Sequence, residues 1–165
     1  MTNLFPTLNT AKIFNEYELQ LIINESQSRG EKIIMTNGCF DLLHVGHVTL
    51  LNEARKLGNH LIVAVNSDES VRQLKGDSRP INSLEHRLFI LASLKSVDGV
   101  IAFSDKTPER LYCNLLPDVI VKGGDYAPDE VAGSDCVIKN GGTVEILSFV
   151  EGLSTTLTID KMKGS

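Results

Sequence analysis

KIIMTNGCFDLLHVGH, residues 32–47, is the stretch whose reading decides the fold. KIIMT (32–36) reads as a buried strand, apolar enough to be covered on both faces. Gly38 then permits a tight turn close to a ligand. His44-Val45-Gly46-His47 opens a helix over 46–57, with Leu50, Leu51, Ala54 and Leu57 at helical spacing and Gly58 as its stop signal. Two histidines three apart at a helix start can point to one side, toward an anion held by the helix N-terminus, and Gly46 between them lets a phosphate approach the backbone. The same pair could instead belong to a metal site, with Asp41 or Cys39 as third ligand, or lie on the surface. Strand, glycine turn and helix in that order favour phosphate chemistry.

Working outward, the alternation repeats. LIVAV (61–65), GVIAF (99–103), DVIVK (118–122) and TVEIL (143–147) read as further strands. Helices are expected over 83–96, over 107–116 behind Pro108, and over 154–162. Upstream, Asn15 and Glu18 form a capping box for a helix that runs to Arg29 and stops at Gly30. Fully apolar strands separated by helices mean a parallel sheet covered on both faces, with ligands bound at the strands' carboxyl ends beside a switch in strand order. The expected architecture is a five-stranded α/β sheet in one domain, 1–165, divided into an N-terminal extension (1–31) and a catalytic core (32–162).

Composition bounds the function. The chain has 165 residues, 42% apolar and 22% charged, with a net charge of −5, so a basic surface for long nucleic acid is not expected. Small phosphorylated ligands remain open, since loop amides and helix N-termini can bind them. Cys39, Cys113 and Cys136 form no CxxC pair and suggest free thiols in a reducing compartment rather than disulfides. No signal-peptide pattern opens the chain, and no apolar run approaches the ~20 residues of a membrane helix. The expectation is a cytoplasmic protein with neither nucleic-acid nor membrane partners.

The string GCFDLLHVGH (38–47) resembles the signature of the cytidylyltransferase-like nucleotidyltransferases, HxGH after a first strand with a G-x-F-D turn. KGGDY (122–126) and EGLSTT (151–156) match that superfamily in order. Within it the chain is most similar to the heptose 1-phosphate adenylyltransferases, through MTNGCFD, ARKLG, LIVAVNSD, LKGDSRP, VKGGDY and GLSTT. The glycerol-3-phosphate cytidylyltransferases share HxGH and STT but typically carry arginine where this chain has Phe149. The resemblance implies transfer of AMP from ATP to a sugar 1-phosphate, a separate heptose kinase to supply that acceptor, and a homo-oligomer. Magnesium is implied by the triphosphate and would ride mainly on it rather than in a protein cage. A nucleotide-binding sensor without turnover is a further alternative, against which the intact His44/His47 pair speaks.

Such a reaction needs positioning and charge stabilisation rather than a nucleophilic Ser or Cys. The resemblance assigns His44 and His47 to the phosphates, and backbone amides near Cys39 and Phe40 to their cradle, with Asn37, Gly38 and Gly46 alongside. Lys75, in the basic loop LKGDSRP (74–80), is a candidate clamp on the triphosphate or a solvated charge. Arg87 either snorkels from the core edge or binds phosphate, as the family implies. Lys122, Gly123 and Asp125 lie in a glycine turn suited to nucleotide approach or simply to a strand end. Gly152, Ser154, Thr155 and Thr156 form a helix cap with hydroxyls available to the triphosphate. Asp41 serves the acceptor or orients a lysine, and Arg79 is a second acceptor candidate.

Overall fold

The computed structural model describes residues 10–148 together with Thr155, Ile159, Lys161 and Gly164. Five strands, β1 (Ile33–Gly38), β2 (His60–Asn66), β3 (Gly99–Phe103), β4 (Val119–Gly123) and β5 (Thr143–Leu147), form one sheet in the order β3-β2-β1-β4-β5, and all its pairings are parallel. The helices are α1 (Glu16–Ser28), α2 (Val45–Arg55), α3 (Asp68–Lys75), α4 (Leu84–Ala92), α5 (Glu109–Leu115) and α6 (Ser134–Lys139). This is the expected Rossmann-like architecture.

The sheet separates two apolar clusters, which is why its inner strands carry unbroken apolar runs such as residues 61–65 and 119–121. Ile33, Met35, Ile62, Ala64, Ile101 and Ile120 face one cluster, filled by Leu19 and Ile23 of α1 and Leu111, Tyr112 and Leu115 of α5. Ile34, Leu61, Val63, Val65, Val100 and Val121 face the other, with Leu51 of α2 and Leu88 and Leu91 of α4. The helix expected from Asn15 is therefore part of the core. Its capping box is present, with the Asn15 side chain accepting from the Glu18 amide and Glu18 accepting from the Asn15 amide. Gly58 lies beyond the end of α2, and any Cβ there would collide with the Ile34 side chain and the Lys32 carbonyl.

Three features differ from the sequence reading. DESVRQLK, whose last two residues fall in the expected basic loop (74–80), is helix α3, capped by the Ser67 side chain and ended by Gly76 at φ +93°. It is polar and short, buries only Ser70 and Val71, and has only Val71 and Leu74 as apolar residues, too few to show the repeated apolar spacing that marks a helix. Helix α6 is shorter still, at 6 residues, and follows a glycine at φ +83°. Third, Cys113 and Cys136 are not free thiols but a disulfide joining α5 to α6, their Cα atoms 5.2 Å apart, and Cys39 is the free cysteine among the described residues. Packing of α5 against α6 brings together residues separated by 23 positions, which spacing alone does not reveal.

Candidate active site

Strand order reverses direction of progression at β1, which has β2 on one side and β4 on the other, so the crevice opens over the carboxyl ends of β1 and β4. Asn37 and Gly38 end β1, Lys122 and Gly123 end β4, and Asn66 ends β2. A Cβ on Gly38 would come within 3.0 Å of the Phe40 ring, and Phe40 itself takes φ +47°, a left-handed conformation unusual for an aromatic residue. That turn tucks the Phe40 ring into the core and leaves it 5.3 Å from the His47 ring. On the neighbouring strand Gly124, at φ +117°, makes the corresponding turn and donates its amide to the Leu147 carbonyl at 3.0 Å.

His44 caps α2 and His47 lies in its first turn, with buried Gly46 between them. The two rings stack at 3.8 Å between centroids. The His44 backbone amide donates to His47 Nδ1 at 3.4 Å, so that nitrogen is an acceptor and the proton of the neutral ring sits on Nε2. Burial, and then the neighbouring His44, push the His47 pKa down to about 4, and burial lowers that of His44. Both rings are thus neutral at pH 7, one N–H each, at the positive end of a helix dipole. His44 Nδ1 is sealed from solvent and has no hydrogen-bond partner.

Other predicted residues are brought to the same end of the sheet with different tasks. Asn37 Oδ1 accepts from Lys122 Nζ at 3.2 Å, linking β1 to β4. Burial lowers the Lys122 pKa. Burial raises the Cys39 pKa, and the nearby cations Lys75, Arg87 and Arg79 only partly offset this, so the group is a thiol rather than a nucleophile. Asp125 is exposed beyond the β4 turn. Thr155 Oγ1 donates to the Leu42 carbonyl at 3.1 Å, which ties Thr155 to the loop before α2. Gly152, Ser154 and Thr156 lie outside the described residues, as does Phe149.

Four expectations need correction. Lys75 is not on a loop but is the exposed last residue of α3. Arg87 is not placed to bind phosphate: its side chain is 0% exposed. Four of its N–H groups donate to Asn82 O (3.1 Å), Cys39 O (2.7 Å), Asn66 O (2.7 Å) and Asp68 Oδ1 (2.7 Å). It holds the turns after β1 and β2 in place from beneath. Asp41 and Arg79, both expected to touch the acceptor, instead bind each other at 2.5 Å in a nearly buried pair. The Asp41 carboxylate also accepts the amides of Ile81 and Asn82 at 2.8–2.9 Å, so it orients an arginine and a loop, not a lysine. Burial alone would raise its pKa, but the Asn82 and Ile81 amides and Arg79 together more than offset this and hold it below the usual range.

Asn66, Asp68 and Tyr112 were missed. A polar residue closing the apolar run LIVAVN was a usable signal for Asn66, whereas nothing local marks Tyr112, a buried aromatic on a helix.

The model of one family, described as cytidylyltransferase-like, matches residues 35–156, a span that begins in β1 and runs past β5. The chain belongs to the cytidylyltransferase-like family. Among other family members, it is 57% identical over 151 residues to the bifunctional protein HldE of Haemophilus influenzae strain PittEE, which covers 92% of this chain and 32% of that one. It is 58% identical over 149 residues to the bifunctional protein HldE of Hydrogenovibrio crunogenus, covering 90% of this chain and 31% of the relative. The chain thus spans about a third of the length of the curated relatives it matches. A crystal structure of the lipopolysaccharide core biosynthesis protein from Thermoplasma volcanium superposes with a TM-score of 0.59 at 33% identity, covering 73% of this chain and 98% of that one. In cytidylyltransferase-like terms, the neutral His44/His47 pair is the HxGH element and stands at the crevice between β1 and β4.

Proposed function

We propose that this chain transfers AMP from ATP to a heptose 1-phosphate, releasing pyrophosphate and forming ADP-heptose for a bacterial surface glycan. The observation that carries the reading is the neutral histidine pair at the α2 N-terminus, over the carboxyl end of β1. A phosphate oxygen of the acceptor attacks the α-phosphorus in line, and the bond to the bridging oxygen breaks as pyrophosphate leaves. The nucleophile is already ionised, so no strong base is needed. His47 Nε2–H and His44 supply hydrogen-bond donors that need no reorganisation as charge develops on the α-phosphate. Lys122 brings a cation to the same crevice, Lys75 serves the leaving pyrophosphate, and the hydroxyls of the STT element, Ser154 to Thr156, serve the triphosphate.

The choice of adenylyl and heptose over cytidylyl and glycerol phosphate is supported by the identity to the HldE relatives over nine-tenths of this chain. The likeness to the lipopolysaccharide core biosynthesis protein of Thermoplasma volcanium supports the same choice. Phosphorylation of the sugar falls to a heptose kinase, on this chain or another. Among the described residues no three His, Cys, Asp or Glu side chains are grouped to hold a metal ion. Magnesium is proposed as part of the MgATP substrate, carried mainly by the triphosphate, and no step is routed through it. The nucleotide requirement places the reaction in the cytoplasm, where the Cys113–Cys136 pair would be reducible. A homo-oligomer is part of the same reading.

The deciding experiment measures kcat/KM for ATP and CTP against heptose 1-phosphate and glycerol 3-phosphate, with pyrophosphate detection at matched magnesium. ATP with heptose 1-phosphate is expected to be best. CTP with glycerol 3-phosphate coming out best would overturn the substrate assignment.

A further inference from the structure

Tyr112 is a fully buried tyrosine on α5 whose hydroxyl, among the described residues, reaches one polar partner, Asn37 Oδ1 at 3.3 Å. The same oxygen accepts from Lys122 Nζ at 3.2 Å. An ammonium can only donate, so the Asn37 atom facing it has to be the carbonyl oxygen, and the phenol then has to donate as well. Rotating the carboxamide by half a turn would set its NH2 against an ammonium and strand the hydroxyl in the core. Asn37 Nδ2 has no partner among the described residues, although Asn37 stands at the carboxyl end of β1 beside the histidine-bearing segment. Tyr112 has little freedom to move. A Cβ on Gly133 would fall 2.9 Å from the Tyr112 Cβ, and the next residue, Cys113, is tied to α6.

We propose that Tyr112 is a positioning residue for this site: its buried hydroxyl, with Lys122 Nζ, orients the Asn37 carboxamide so that its NH2 faces the bound ligand as a donor to a phosphate oxygen. The proposal rests on the nucleotidyltransferase reading, and deepens it by adding a contact from the opposite side of the sheet to the histidine helix. Tyr112 touches no substrate; it acts through Asn37.

A double-mutant cycle tests it, with Tyr112→Phe and Asn37→Ala read both as kcat for pyrophosphate release and as ATP affinity by calorimetry. Tyr112→Phe is expected to lower one or both by roughly fivefold to tenfold, the scale of one hydrogen bond. In the Asn37→Ala background it should then change neither by more than about twofold. Additive losses, or an unchanged Tyr112→Phe, would overturn the proposal. Should Tyr112→Phe fail to fold, Asn37→Asp decides: it keeps an oxygen toward Tyr112 and Lys122 but sets an anion where the NH2 was. A loss on the order of a hundredfold is expected, and full activity would overturn the proposal. Wild-type protein that binds ATP but does not use heptose 1-phosphate sinks only the substrate reading, because the cycle still runs on ATP binding. Wild-type protein that neither turns over nor binds ATP overturns both.

Discussion

Arg79 donates from Nε to the Asp41 carboxylate at 2.5 Å, across 38 positions of sequence, and the two side chains are only 12% and 1% exposed. Asp41 closes the turn after β1 and Arg79 opens the segment before α4, so the pair ties the histidine-bearing loop to the loop behind it. Because the Ile81 and Asn82 amides share the carboxylate, the two partners are not equivalent. Asp41→Ala strands two amides and a guanidinium, and is expected to cost roughly 3–5 kcal/mol. Arg79→Ala leaves the carboxylate hydrogen-bonded to backbone and should cost clearly less. Urea unfolding of the two variants gives the order, and equal costs would show that the amides add nothing.

Arg87 and Cys39 are joined just as directly, by a 2.7 Å bond from Nη1 to the Cys39 carbonyl. Arg87→Lys keeps the charge but not the fork that reaches four acceptors at once. We expect the unfolding free energy to fall by roughly 3 kcal/mol or more, read from a lower denaturation midpoint, because partners are left unpaired. A phosphate-binding role would instead raise the KM for nucleotide in a protein of unchanged stability, and that result would refute the positioning role.

The folded His47 pKa of about 4 lies below its ordinary 6.5, so folding disfavours protonation. Its contribution to stability is then fully present above pH 6.5 and is lost as pH falls through 6.5 toward 4, where the folded ring also begins to charge. His47→Gln should flatten the pH dependence of the unfolding free energy within that window. An unchanged slope would mean that the ring titrates normally.

In the rate, His44→Ala or His47→Ala should each lower turnover by ~10²–10³ while the circular dichroism spectrum is retained. Near-normal turnover in both variants would remove the histidine pair from the chemistry.

The Cys113–Cys136 bridge closes a loop between α5 and α6. Cys113→Ser is expected to lower unfolding stability by ~2–4 kcal/mol in non-reducing buffer and by much less under reductant. Titration with a thiol reagent under denaturing, non-reducing conditions should find Cys39 alone. Finding all three cysteines reactive would show the bridge absent.

Much of this protein is determined by sequence alone, for local reasons. Strands such as LIVAV (61–65) and the VIV (119–121) of DVIVK are unbroken apolar runs because both faces of a parallel sheet are covered, and that pattern survives without any knowledge of neighbours. Gly38 and HVGH (44–47) mark the turn and the helix start that locate the site, because backbone conformation and helix ends depend on residues close in sequence. Helix α3 escaped that reading because it is polar and nearly unburied. The tertiary structure alone decided what each polar side chain does. Arg87, Asp41 and Arg79 have the chemistry of ligand binders, yet the fold brings Cys39 O, Asn66 O and the Ile81 and Asn82 amides within 3 Å of them. A buried charge is held by whichever partners reach it first, and those partners lie tens of residues away. Tyr112 is the converse case: it has the pattern of a core residue, and only the packing of α5 beside β1 sets its hydroxyl against Asn37.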